Sequence, residues 1–127
     1  MIVLKWLFFI VVGVVIEHYV FPLVNVCGNS MLPTYQDGEI VFSTRIFRKN
    51  KIKPGDVMVF RHPTVRNRLL IKRVDKVFKN NHGEIQSIYF LGDNAPDSYD
   101  SRNFGYVLMK DLVSKVIKPR KKEDISL

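Results

Sequence analysis

The first 26 residues are almost continuously apolar. Lys5 stands near the start, residues 6–16 carry no charge, Glu17 and His18 interrupt, and the apolar run resumes at Tyr19 until Pro22 breaks it. A bilayer-spanning helix needs about 20 residues. It tolerates Lys5 and Glu17 near its ends, because long charged side chains snorkel to the interfaces where Trp6 and Tyr19 also favour lying. The pattern predicts one transmembrane helix, with residues 1–23 as an anchor. A cleaved secretory signal has a similar charged start and short apolar centre, but no small-x-small site occurs before Pro22. Lys5 and the N-terminal amine are the only charges ahead of the span. They place the N-terminus in the cytoplasm and the long remainder outside.

From residue 24 the pattern changes to short alternating or β-branched runs at 24–27, 39–43, 56–60, 69–78, 85–91 and 113–117. Each has the length of a strand and is rich in Val, Ile and Phe. Turn signals separate them: Gln36-Asp37-Gly38, Lys53-Pro54-Gly55-Asp56, Asn80-Asn81-His82-Gly83 and Gly92-Asp93-Asn94-Ala95-Pro96. The last is too long for a simple hairpin. No strong helical period and no repeat follows residue 30. The expected body, residues 24–117, is therefore mainly β: a small antiparallel, partly closed fold. Residues 118–127 (KPRKKEDISL) are charged and poor in apolar side chains, and read as a loose basic tail.

Composition narrows the picture. At 127 residues the chain is one domain or one domain with an appendage. Its 46% hydrophobic and 25% charged residues suit a packed core. Cys27 is the one cysteine, so no internal disulfide forms, and no Cys/His spacing suits structural zinc. The net charge of +8 suits an anionic partner. With no helix-turn-helix, zinc-finger or aromatic RNP pattern, membrane lipid is expected and nucleic acid is not. Five of the cations, Arg45, Arg48, Lys49, Lys51 and Lys53, crowd one loop. That loop either rests on an anionic leaflet or is simply solvated.

Candidate chemistry falls in three segments. Ser30 lies in Gly28-Asn29-Ser30-Met31-Leu32-Pro33-Thr34, directly after a predicted strand, where Gly and Pro prevent a regular helix. A serine nucleophile needs a base. His18 at the membrane exit, His62 in an Arg-His-Pro turn and His82 at a hairpin tip all read as solvated loop histidines. Lys72 differs, because it stands within Leu69-Leu70-Ile71-Lys72-Arg73-Val74, where apolar neighbours can strip water from the ammonium and bring its pKa toward neutrality. The third segment, residues 92–106, is dense in Asp, Asn, Ser and Arg. It reads as a polar network or as a solvated loop, and no metal requirement follows from it.

Together, and in this order, these segments resemble bacterial type I signal peptidases, membrane-anchored serine proteases with a Ser/Lys dyad that remove signal peptides from exported proteins. The resemblance runs from the anchor to about Val107. The family's G-x-S-M-x-P-T is matched by residues 28–34, with Gly38-Glu39-Ile40-Val41 in the strand that follows. Its G-D-[IV] is matched by Gly55-Asp56-Val57, its K-R-V by Lys72-Arg73-Val74, and its G-D-N with S-x-D-S-R and a glycine by Gly92-Asp93-Asn94, residues 98–102 and Gly105.

The resemblance implies that Ser30 is the nucleophile, Lys72 the general base and Ser98 the hydroxyl that orients the lysine amine. Asp100 and Arg102 form a supporting ion pair, and no metal or cofactor is used. Val24, Val26 and Ile71 match positions lining shallow pockets for small residues one and three places before the cut, which gives Ala-x-Ala specificity. The implied location is the cell membrane, single-pass, with the peptidase domain on the extracytoplasmic side and signal peptides as partners. Two features depart from the family. Gly28 stands where a hydroxyl residue often serves as oxyanion donor, so the hole rests mainly on backbone N–H groups, including that of Ser30. Val74 is followed by Asp75-Lys76-Val77-Phe78 in place of a Gly-Leu-Pro-Gly-Asp turn. Other readings are a self-cleaving repressor, against which the anchor argues, and a non-catalytic assembly factor for surface polymers such as pili. That factor would lack the dyad. A eukaryote-like branch has histidine where Lys72 stands.

Overall fold

The structure, a computed structural model, describes residues 1–122; the end of the expected tail, 123–127, lies outside the described residues. It opens with helix α1, Ile2–Val20, none of whose residues is buried. Nineteen residues at 1.5 Å each give about 28 Å, close to the ~30 Å hydrocarbon core of a bilayer. Apolar side chains surround it on all sides, so it has no polar face to turn to water. The chain thus has one helix long and apolar enough to cross a membrane among the described residues.

Among the described residues seven strands follow: β1 Leu23–Asn25, β2 Ile40–Thr44, β3 Val57–Arg61, β4 Leu69–Lys79, β5 Ile85–Leu91, β6 Val107–Leu108 and β7 Leu112–Val116. Between β5 and β6 lies the one-turn helix α2, Ser101–Phe104. The strands form one antiparallel sheet in the order β1-β2-β7-β3-β4-β5-β6. The expected antiparallel β architecture is present, but the sheet is open. Strands β1 and β6 are its edges and do not meet, so the expected partial closure is not made.

Two cores divide the sheet between them. Val26, Met31, Tyr35, Val41, Val57, Val59, Ile71 and Val116 form one. Ile52, Met58, Phe60, Val74, Ile85, Ile88, Phe90 and Val107 form the other. Successive side chains of a strand point to opposite faces. Strand β3 therefore sends Val57 and Val59 to the first core and Met58 and Phe60 to the second, which is why its apolar run is unbroken rather than alternating. Strand β4 pairs with β3 through residues 69–73 and with β5 through residues 73–79. A register shift between Val74 and Lys76 separates the two stretches, and a bulge of this kind bends a strand.

The structure also departs from the sequence pattern in its last third. Strand β6 has two residues, too few for a period, and α2 has one turn nucleated by its cap: Asp100 accepts the Arg102 N–H while the Asn103 side chain accepts the Asp100 N–H. The tail, read as loose from residue 118, is tied down at Arg120. Its N–H donates to Tyr35 Oη at 2.9 Å, its guanidinium donates to Thr34 O at 3.0 Å and pairs with Glu39, and its carbonyl accepts from Arg73. Charge density suggested solvation there, and specific acceptors on the body override it.

Phe60 and Phe90 stack in the second core with ring centroids 4.2 Å apart. Phe90→Ala is expected to cost about 3–5 kcal/mol, against about 1 kcal/mol or less for Phe78→Ala, whose ring is 38% exposed. Denaturant titration of the full chain in detergent measures both.

Candidate active site

Residues 28–36 leave the sheet after β1 as a loop pinned from beneath. Met31, Thr34 and Tyr35 are buried, and Tyr35 N–H donates to Met31 O at 2.9 Å. Ser30, next to the Met31 anchor, stays half-buried with its hydroxyl facing β4. The loop begins at Gly28, whose φ of +87° lies in the left-handed region that side chains resist; the Gly28 N–H donates to Asp37. That backbone conformation accounts for glycine where a hydroxyl residue was expected. Among the described residues the Ser30 N–H makes no hydrogen bond.

Lys72, on β4, is 4% exposed, and its Nζ lies 2.9 Å from Ser30 Oγ. Its other hydrogen bond goes to the Ile71 carbonyl at 3.1 Å. Among the described residues no carboxylate forms a salt bridge with Lys72. Burial pulls the ammonium down to about 8; the negative charge of Asp100 opposes that shift, and the positive charge of Arg68 adds to it. A buried lysine amine 2.9 Å from a serine hydroxyl has the spacing that proton transfer between the two requires.

The third segment forms the opposite wall. Asp100 is fully buried and fully bonded: it accepts from Gly92 N–H at 2.9 Å, Ser98 Oγ at 2.8 Å, the Arg102 N–H at 3.1 Å and the Arg102 guanidinium at 2.9 Å. Burial alone would raise its carboxyl, but Arg102, Gly92 and Ser98 outweigh that and hold it at about 2. The ion pair of Asp100 with Arg102 is thus present. Ser98 differs from expectation. Its hydroxyl donates to Asp100, while the hydrogen-bond partners of the Lys72 amine are Ser30 and Ile71. A buried carboxylate is a strong acceptor, and it receives the Ser98 hydrogen bond.

Several contributors escaped the sequence reading. Gly92 lies so close to the centre that a Cβ on it would stand 2.0 Å from Ser98 Oγ and 2.7 Å from Ser30 O. No other residue fits there without displacing both serines. Asn94 clamps the serine loop, its N–H donating to Ser30 O at 2.8 Å and its side-chain amide to Asn29 O at 3.0 Å. Asp93 ties all three segments, accepting from Thr34 Oγ1 at 2.6 Å and from the Arg73 guanidinium at 2.9 Å. The signal for each was present in the Gly92-Asp93-Asn94 and Lys72-Arg73 pairings of the sequence pattern, but nothing in a linear pattern says which atoms touch.

An apolar groove of about 370 Å³ has the Lys72 side chain in its lining and extends toward the end of α1. Val24, Val59 and Ile71 line it beside Lys72, with Pro22 and Arg45 at its far end. Val26, expected to line the same groove, does not. It is 1% exposed and packs in the first core, where Met31 and Tyr35 of the serine loop cover it. His62 also departs from its solvated reading. It is buried, accepts the N–H groups of Thr64 and Val65 at Nδ1, and so carries its proton on Nε2, 3.2 Å from Tyr99 Oη. Burial, with Arg68, lowers its pKa.

Comparison with known proteins places residues 1–75 and 79–119 within the family model described as signal peptidase, peptidase S26. The chain is 31% identical over 117 residues to mitochondrial inner membrane protease subunit 1 of Schizosaccharomyces pombe, covering 80% of this chain and 74% of that protein. It is 29% identical over 103 residues to the mouse protein of that name, covering 69% of this chain and 62% of the relative. Against the human signal peptidase complex catalytic subunit it is 34% identical over 73 residues, 58% of this chain and 36% of that one. The chain thus spans about a third to three quarters of the relatives it matches.

The charges around Lys72 act on it with opposite signs. Arg68→Gln is expected to raise the lysine pKa from about 8, and Asp100→Asn to lower it. Lysine-selective isotope labelling and NMR titration of the full chain in detergent follow both shifts. Movement of both variants in one direction would refute the assignment of causes.

Proposed function

Because the chain belongs to the signal peptidase family, peptidase S26, we propose that it is a membrane-bound serine endopeptidase that removes signal peptides from exported preproteins. The cut follows small residues, of the Ala-x-Ala type. The observation that carries this reading is the 2.9 Å contact of Lys72 Nζ with Ser30 Oγ, buried beside an apolar groove.

In this mechanism Lys72 is the base only when neutral. Its lone pair takes the Ser30 proton as Oγ attacks the scissile carbonyl, and the resulting ammonium gives that proton to the leaving amine. Water then releases the acyl group, with Lys72 again as base. The developing oxyanion is met by backbone N–H groups, that of Ser30 first among them, since Gly28 brings no hydroxyl. Asp100 is a positioning residue: held by Arg102, it fixes Ser98 and Gly92 against the serine loop.

Substrate enters as an extended strand. β1 is a sheet edge, so a peptide can pair along it and set alternate side chains into the groove between Val24 and Ile71. These walls leave room for small residues. α1 crosses the cell membrane once, with the N-terminus cytoplasmic and the peptidase domain on the extracytoplasmic side. The backbone of Arg45 bonds the last residue of α1, Val20, at 2.8 Å, and Arg45 lines the groove, so the site opens where a membrane-borne signal peptide emerges.

Ser30→Ala and Lys72→Ala are each expected to abolish cleavage of a preprotein ending its signal in Ala-x-Ala, and Ser98→Ala to lower the rate without abolishing it. For the wild type, kcat/KM should rise with pH through about 8 and then level, since only the neutral amine is competent. Stability follows the same titration. The unfolded lysine keeps its proton to about 10.5, so Lys72 costs stability in full below about 8 and progressively less from 8 to 10.5. Turnover by Ser30→Ala, or an acidic limb unmoved in an active Lys72→His variant, would remove the dyad.

A further inference from the structure

A second cleft, of about 490 Å³, lies between the β2–β3 connection and the end of β7, and the peptidase reading leaves it unused. Arg48, Lys51 and Lys53 stand on one wall, Lys115 and Lys118 on the other. Among the described residues, Asp56 is the one acidic residue in its lining, and its carboxylate is already engaged. It lies 3.4 Å from Lys115 Nζ and accepts the Lys53 N–H at 3.0 Å. Among the described residues, Arg48, Lys51, Lys53 and Lys118 have no carboxylate partner. Like charges converging on a concave site repel one another, so the arrangement is stabilised by an anion between them.

Its position says which anion. Thr44, on the cleft wall, pairs with Lys115 across the sheet, and the next residue, Arg45, bonds the end of α1. The cleft therefore opens within one residue of the helix exit, at the depth of lipid headgroups when α1 is inserted. Beside the cations stand Ile46, 72% exposed, and Ile117, 40% exposed. Apolar side chains interleaved with lysine and arginine at this depth suit the boundary between acyl chains and headgroups.

We propose that this cleft binds the phosphate-bearing headgroup of an anionic phospholipid in the leaflet where α1 ends. The inference rests on the membrane span proposed above, and not on the peptidase chemistry. Lys49 belongs to the same loop but lies off the cleft wall, so the cleft, and not loop charge in general, sets the preference. A zwitterionic lipid brings a cation with its phosphate and is disfavoured by the unpartnered cations.

The test uses the full chain in neutral detergent micelles holding equimolar phosphatidylglycerol and phosphatidylcholine, with retained lipid counted by native mass spectrometry. The wild type is expected to retain phosphatidylglycerol preferentially. Replacing Arg48, Lys51, Lys53 and Lys118 by Gln should reduce that preference about tenfold or more, since each headgroup-level cation contributes about fivefold. Lys49→Gln, and a control with Arg66, Lys76, Lys79 and Lys110 changed to Gln, should keep it. Equal loss in that control, or equal retention of both lipids by the wild type, would overturn the proposal. So would displacement of phosphatidylglycerol by millimolar inorganic phosphate, which would mark a site for a free anion. Carbonate extraction of vesicles separates the two readings. A chain that resists extraction but shows no lipid preference refutes the cleft alone, whereas an extracted chain refutes the span and the cleft with it.

Discussion

The burial of the Lys72 amine with no carboxylate partner among the described residues is the constraint around which the rest of the structure is arranged. An ammonium removed from water costs free energy that an adjacent acid would offset, and here the nearest hydrogen-bond partners are a hydroxyl and a carbonyl. The amine responds by titrating near 8. That outcome requires apolar packing on one side and a polar wall on the other, close enough to exclude water but with its negative charge already committed. Asp100 meets the second requirement. Arg102 and three N–H or O–H donors absorb its charge, so it tempers the lysine shift without cancelling it.

Holding that balance needs the three chemical segments fixed to one another to within a fraction of an ångström. Asp93 joins them through Thr34 and Arg73, Asn94 clamps the carbonyl of Ser30, and Gly92 leaves the space into which Ser98 and that carbonyl fit. These contacts bridge residues 59 or more apart in the chain at Thr34–Asp93 and Asn29–Asn94. The two hydrophobic cores supply the rigid base: β3 and β4 lie between them and carry the lysine, while Met31 and Tyr35 root the serine loop in the first.

The membrane end of the molecule follows from the same sheet. β1 and β2 begin and end beside the last turn of α1, which brings both the apolar groove and the basic cleft to the helix exit. An open sheet edge is usually a liability for aggregation, yet here β1 has three residues and an adjacent helix, and an unpaired edge is what an extended peptide needs.

The sequence by itself determined the elements whose signal is local. The apolar run of α1, the six longer strands and the four turn clusters were legible, because each rests on periodicity or turn chemistry within a few residues. Ser30, Lys72, Asp100 and Arg102 were nameable through a motif order that a family resemblance made specific. Tertiary structure alone decided the remainder. Strand β6 and helix α2 are too short to carry a period, and whether the sheet closes depends on edges far apart in the chain. Val26 sits in the core because Met31 and Tyr35, from a separate loop, pack against it, and Arg120 found acceptors on Thr34 and Tyr35 that no reading of a charged tail could supply. The pairing of Ser98 with Asp100 in place of Lys72 has the same origin. Which acceptor a hydroxyl chooses depends on distances set by the packing of separate segments, and one-dimensional order does not hold distances.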